Sequence, residues 1–225
     1  MSLQDQGFAF EKSEQTFIQR VYQWMAAGLA FTGAVAMWVA TSPAFLQALS
    51  GGMFFVLMIA EIGLVFWLSS RALQMSPTAA IGAFLVYSGL NGLTLSFIFL
   101  VYTSASIASV FFITAGTFAA VSLYGWVTKQ DLTSMGSFFF MGLIGLIIAS
   151  VVNIFFRSPA LYWVISYVGV ALFIGLTAYD TQQLKRIHQS GAGSTDQMAI
   201  LGALKLYLDF INLFLMLLRI FGRRR

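Results

Sequence analysis

Seven stretches of this chain are each long and apolar enough to cross a bilayer, and that constrains the fold more than any motif. A helix needs roughly 20 predominantly apolar residues to span about 30 Å of hydrocarbon. Such runs fall at Val21–Ala40, Met53–Ser70, Ala79–Val101, Ile107–Val127, Gly136–Phe156, Leu161–Asp180 and Met198–Leu218. Between them stand only short breaks with turn chemistry, around Pro43, Ser76 to Thr78, Lys129–Ser134, Pro159 and Ser190–Thr195. Charged residues make up 9% of the chain and the mean hydropathy is +0.85, against roughly 25% charged residues in a soluble domain. The pattern predicts an all-α integral membrane protein. A polar segment over residues 1–20 precedes a single seven-helix membrane domain over 21–220, and a basic tail over 221–225 follows.

The same composition removes whole classes of function. With no cysteine and His188 as the one histidine, thiolate chemistry and multi-histidine metal sites are excluded, and no cofactor is expected. The formal charge of +4 comes from Lys and Arg scattered between apolar spans, which marks topology; no nucleic acid partner is expected. The first residues, with Asp5, Glu11, Lys12, Glu14 and Arg20, lack the apolar core and small-residue cleavage site of a removable signal peptide. With the N-terminus in the cytoplasm, Lys12, Arg20, Arg71, Lys129, Lys185 and Arg186 lie inside and Arg157 outside, as the positive-inside rule prefers. Arg219 and Arg223–Arg225 dissent, because seven full crossings put them outside whereas a re-entrant last segment returns them.

The last span is the compromised one. Lys205, Asp209 and Asn212 share one helical face at spacings of three to four residues, and such a face must meet protein or water. If the sixth helix continues to His188, Asp180 lies about eight residues, roughly 12 Å, from its inner end. Asp209, some eleven residues past Met198, lies roughly 16 Å from the same side. Glu61, about ten residues before Arg71, repeats that depth at roughly 15 Å. Uncharged polar residues (Ser88, Asn91 and Thr94; Thr114, Thr117 and Ser122; Ser150 and Asn153) are suited to bonding helices together or to lining a wet path.

Each feature has an ordinary reading too. Arg71, Lys185 and Arg186 snorkel to the interface by default. Lys205 can neutralise Asp209 one turn away. Asp180 and Asp209 are the residues for which function is the default, because ionisable groups inside a membrane are costly.

Two carboxyl groups within a few ångströms do not both ionise cheaply, so such a pair exchanges protons as a unit. Ionised, it offers oxygen ligands to a hard cation such as calcium, which takes six to eight, with Asn, Thr or backbone oxygens completing the shell. Asp180 and Asp209 are therefore candidate transient calcium ligands, with Glu61, Asn212 and Lys205 as candidates for the cation path. The same pair can activate water as in aspartic proteases. Intramembrane aspartyl proteases, however, carry a glycine-rich segment at the second aspartate, where this chain reads Leu206, Tyr207, Leu208, Asp209. A non-enzyme is the expectation.

AYDTQQLKRI (Ala178–Ile187), LYLDFINLFLMLLRIFG (Leu206–Gly222), TKQDLTSMG (Thr128–Gly136) and YSGLNGLTLS (Tyr87–Ser96) together resemble the transmembrane Bax inhibitor motif family, bacterial branch. The resemblance implies a seven-helix fold with the last helix surrounded by the other six, in a bacterial inner membrane. It also implies a pH-sensitive calcium leak, with the bilayer and the calcium ion as partners. Asp180 and Asp209 match the family's aspartate pair. Arg71 matches by position the arginine that locks the pore. For some bacterial relatives the implied role is instead to modulate a membrane-bound protease, which stands as the alternative.

Overall fold

The computed structural model describes the backbone of residues 3–49, 51–191 and 193–225, and side chains from Ser13 onward. The start of the polar segment read over residues 1–20, and position 192 of the turn Ser190–Thr195, lie outside the described residues. Nine helices and one 3-10 turn, Leu132–Met135, make up the regular structure of the described residues. They are α1 Leu3–Ala40, α2 Pro43–Leu49, α3 Gly52–Arg71, α4 Pro77–Leu95, α5 Ile98–Val101, α6 Ser104–Val127, α7 Gly136–Phe156, α8 Pro159–Ser190 and α9 Thr195–Phe221.

Seven helical runs are long and apolar enough to cross a membrane: Ser13–Ala40, Gly52–Arg71, Pro77–Val101, Ser104–Val127, Leu132–Phe156, Pro159–Ser190 and Thr195–Phe221. The last is continuous from end to end despite its charges. It is also the enclosed one: 72% of its most apolar window is buried, against 6% for α3. The chain is thus an all-α seven-helix membrane protein with the last helix held among the others, as the resemblance implied.

Local chemistry sets the ends. Ser76 caps α4 by accepting from the Ala79 N–H at 3.3 Å, ahead of Pro77. Thr103 caps α6 the same way through Ser106 N–H. The α8–α9 turn uses Gly191 at φ 57, a conformation that glycine enters without a Cβ penalty. Helix α8 does continue past the apolar run, through Lys185 to Ser190. Helix α1 begins well before its apolar run, and Phe17 within the polar segment is fully buried.

The chain divides into two compact units, one of residues up to Val101 with Leu184–Tyr207, the other of Tyr102–Gln183 with Leu208–Arg225. In the first, Phe17, Val21, Leu68, Phe84, Leu184, Ile200, Leu204 and Tyr207 are fully buried. The Tyr207 ring meets Phe84 and Tyr87 edge to face at 5.7 and 5.9 Å. Thr32 Oγ1 lies 2.7 Å from Tyr207 Oη and donates to the Ser88 carbonyl at 2.8 Å, so the tyrosine is the donor to Thr32. The Gln197 amide holds the α3–α4 turn by donating to the Leu73 and Met75 carbonyls. Arg20 pairs with Asp196, and Phe17 stacks on the His188 ring at 5.0 Å.

In the second unit Phe210 sits between Phe111 and Phe118, at 5.4 and 5.5 Å between ring centroids. Here α6 and α8 approach so closely that a Cβ on Gly125 would stand 2.4 Å from the Ala178 carbonyl oxygen. That contact is backbone to backbone, so no side chain can swing aside to relieve it.

Candidate functional site

Asp180 and Asp209 both belong to the second unit and both are buried, with 9% and 5% of their surface exposed. Their helices place them there for reasons legible in the packing. Asp180 lies two residues beyond Ala178, where glycine lets α6 come against α8. Asp209 lies beside Phe210, whose ring is wedged against two rings of α6 and so fixes the rotation of α9. Burial of a carboxyl group in a membrane protein is costly enough that its surroundings must be polar or its charge must be labile.

Further polar groups lie on this part of α8 and on α6. Thr181 Oγ1 lies 3.4 Å from Ser122 Oγ of α6 and is its donor. Thr177 and Thr114, both fully buried, return their hydroxyls to their own helices at the Phe173 and Val110 carbonyls. Gln182, two residues past Asp180, holds the α6–α7 loop with both ends of its amide. Its Oε1 accepts from Leu132 N–H at 2.9 Å and its Nε2 donates to the Gln130 carbonyl at 2.8 Å. The loop Lys129–Ser134 is thereby tied to the helix that carries Asp180.

The remaining candidates are placed as follows. Asn212 is partly buried, but its amide donates to the Leu208 carbonyl of its own helix at 2.8 Å. Glu61 and Lys205 belong to the first unit. Glu61 Oε1 accepts from Thr94 Oγ1 at 2.8 Å, which joins α3 to α4. Lys205 is partly buried on α9. Arg71 ends α3 exposed, and its Nη1 donates to Gln74 Oε1 at 3.4 Å, the local arrangement expected of a helix-end anchor.

Among the described residues no three His, Asp or Glu side chains gather as a group that could hold a metal ion. Two carboxylates fall short of the six to eight oxygens of a resident calcium.

Seven helices long and apolar enough to cross a membrane, with two buried acids on the last two of them, define a polytopic membrane protein. The chain belongs to the family described as inhibitor of apoptosis-promoting Bax1, whose model matches residues 14–225. It is 51% identical over 217 residues to the inner membrane protein YbhL of Escherichia coli strain K12, covering 94% of this chain and 93% of that protein. A protein of Borreliella burgdorferi is 46% identical over 215 residues, 93% of this chain and 92% of its own. Protein RP147 of Rickettsia prowazekii is 42% identical over 220 residues, 96% and 93% of the two chains.

Proposed function

We propose that this chain is a proton-sensitive calcium leak pathway of a bacterial inner membrane, with Asp180 and Asp209 as its titrating unit. The observation that carries the reading is the enclosure of both carboxyl groups in one compact unit. The inner-membrane location is supported by the name of the Escherichia coli relative and by seven membrane-length helices. Calcium suits the pair because it is a hard cation that exchanges oxygen ligands readily. The deciding experiment is calcium flux into liposomes holding the purified protein alone, across a pH series. Flux above protein-free liposomes that varies with pH is expected. No flux without a partner protein would overturn the leak and leave the modulator of a membrane-bound protease as the function.

The orientation follows the charges: we place the N-terminus in the cytoplasm, and an odd number of crossings then puts Arg225 on the periplasmic side. A reporter fused after Arg225 is expected to be active there, and a cytoplasmic signal would reverse the assignment. Arg71 keeps the part that the resemblance gives it, the cation that holds the path shut. On that reading Arg71→Ala raises basal flux by roughly tenfold, the equivalent of about 1.4 kcal/mol in a two-state gate. Wild-type basal flux and pH response in this variant would leave Arg71 as the anchor that its bond to Gln74 describes.

A further inference from the structure

At the end of the second unit where α9 finishes, a cavity of about 460 Å³ is lined by three arginines and by no acidic residue: Arg157, Arg219 and Arg224, with Asn153, Ser158 and Tyr162 beside them. The guanidinium carbons of Arg219 and Arg224 stand 5.7 and 5.6 Å from the centroid of one ring, that of Tyr162, and Arg224 Nη2 also donates to Tyr162 Oη at 3.2 Å. Arg157 closes α7 in the left-handed conformation, φ 48, the one non-glycine residue among those described with positive φ. Its neighbour Ser158 donates its N–H to Asn153 Oδ1 at 2.9 Å.

The basic tail is part of this construction. Thr103 N–H donates to the Arg223 carbonyl at 3.0 Å and Arg223 N–H to Ser106 Oγ at 2.9 Å, with Tyr102 paired to Arg224 in an isolated antiparallel bridge.

Arginines at helix C-termini have an ordinary role, offsetting the helix dipole, but the charges here exceed it. The carbonyl ends of α7 and α9 bring about half a negative charge each and the N-terminus of α8 about half a positive one, against three full guanidinium charges. The cavity thus holds an excess of about two and a half positive charges. The chain has no Asp or Glu between Asp131 and Asp180, or after Asp209, to balance them. Guanidinium forks match phosphate oxygens in geometry as well as charge.

The setting is also amphipathic. A smaller cavity of about 160 Å³ shares Asn153, Tyr162 and Arg219 with the first and adds Ile154 and Ile165. Around it Phe155, Phe156, Trp163 and Tyr167 are exposed at 78, 77, 43 and 58%, the aromatic surroundings of a bilayer's headgroup level.

We propose that this arginine cavity binds a phosphate group, carried by the headgroup of an anionic phospholipid. Its ester chains continue along the apolar slot beside Ile154 and Ile165. A free phosphate shares the headgroup chemistry without using the slot, and experiment separates the two.

The full-length protein in neutral detergent is titrated with phosphatidylglycerol, phosphatidylcholine or inorganic phosphate. Thermal midpoint and the number of lipids retained in native mass spectrometry are the readouts. Phosphatidylglycerol is expected to raise the midpoint and to remain bound, and phosphatidylcholine to do neither. In R157Q/R219Q the half-saturating concentration rises about tenfold or more, while R225Q, an equal loss of charge per site outside the cavity lining, binds as wild type does. An equal response to inorganic phosphate alone assigns the site to a soluble anion instead of a lipid. The proposal is overturned if neither phosphate source acts on wild type, or if R225Q weakens binding as much as R219Q. Should the double variant fail to fold, retention of phosphatidylglycerol by R219Q at the wild-type level is enough to reject the site.

Discussion

Asparagine in place of Asp180 or of Asp209 is expected to flatten the pH dependence of calcium flux in liposomes. Each substitution keeps the size and removes the proton that the carboxyl group exchanges. In a two-state gate about 1.4 kcal/mol of proton-linked free energy moves the open population roughly tenfold, so a wild-type change of that size should shrink to about twofold or less. Both groups are buried in one unit; if they titrate as one site, as proposed, D180N/D209N should add little to the worse single variant. Additive losses would mean two independent sites. Thermal midpoints in detergent separate a lost titration from a lost fold, and single variants that keep the wild-type pH profile would make both aspartates structural.

A comparably large effect is expected from one methyl group. In Gly125→Ala the new carbon would sit 2.4 Å from the Ala178 carbonyl oxygen and 2.9 Å from its Cα, so α6 and α8 must separate. Overpacking of this kind costs about 1–3 kcal/mol, which for a chain of this size lowers the thermal midpoint by roughly 2–12 °C. Asp180, two residues further along α8, moves with the backbone, and the pH profile of flux should shift as well. Gly116 is the control, since nothing stands within 4 Å of a Cβ there on the same helix, and Gly116→Ala should be neutral. A neutral Gly125→Ala would refute the close crossing.

Hydropathy alone located the seven crossings, because every backbone group in a bilayer must be bonded within its own segment and only long apolar helices satisfy that. The ends were less legible. Helix α1 extends through polar residues because Phe17 buries itself in the first unit. Pro159 opens α8, where the apolar pattern begins only at Leu161. Depth arithmetic found Asp180 and Asp209 because acids inside apolar runs are conspicuous. Depth alone does not specify local bonds: the Asn212 amide turns back to the Leu208 carbonyl and Glu61 bonds to Thr94. The grip of Gln182 on the α6–α7 loop and the seating of the basic tail against Tyr102 and Tyr162 left no periodic signal. Both depend on residues about fifty to more than a hundred positions apart meeting in three dimensions.

The enclosure of α9 has a bearing on how the protein is made. This helix follows the other six in chain order, so they enter the bilayer before the most buried segment of the chain is made. The buried hydroxyls of Thr114, Ser122 and Thr177 and the carboxyl of Asp180 all lie on helices made before it. The back-bonds that Thr114 and Thr177 make to their own helices are already available to an unaccompanied helix, whereas a carboxylate inside a lone apolar helix is costly. The order of the chain thus asks the first six helices to hold their polar groups before α9 arrives, and the back-bonds of Thr114 and Thr177 are a means already at hand.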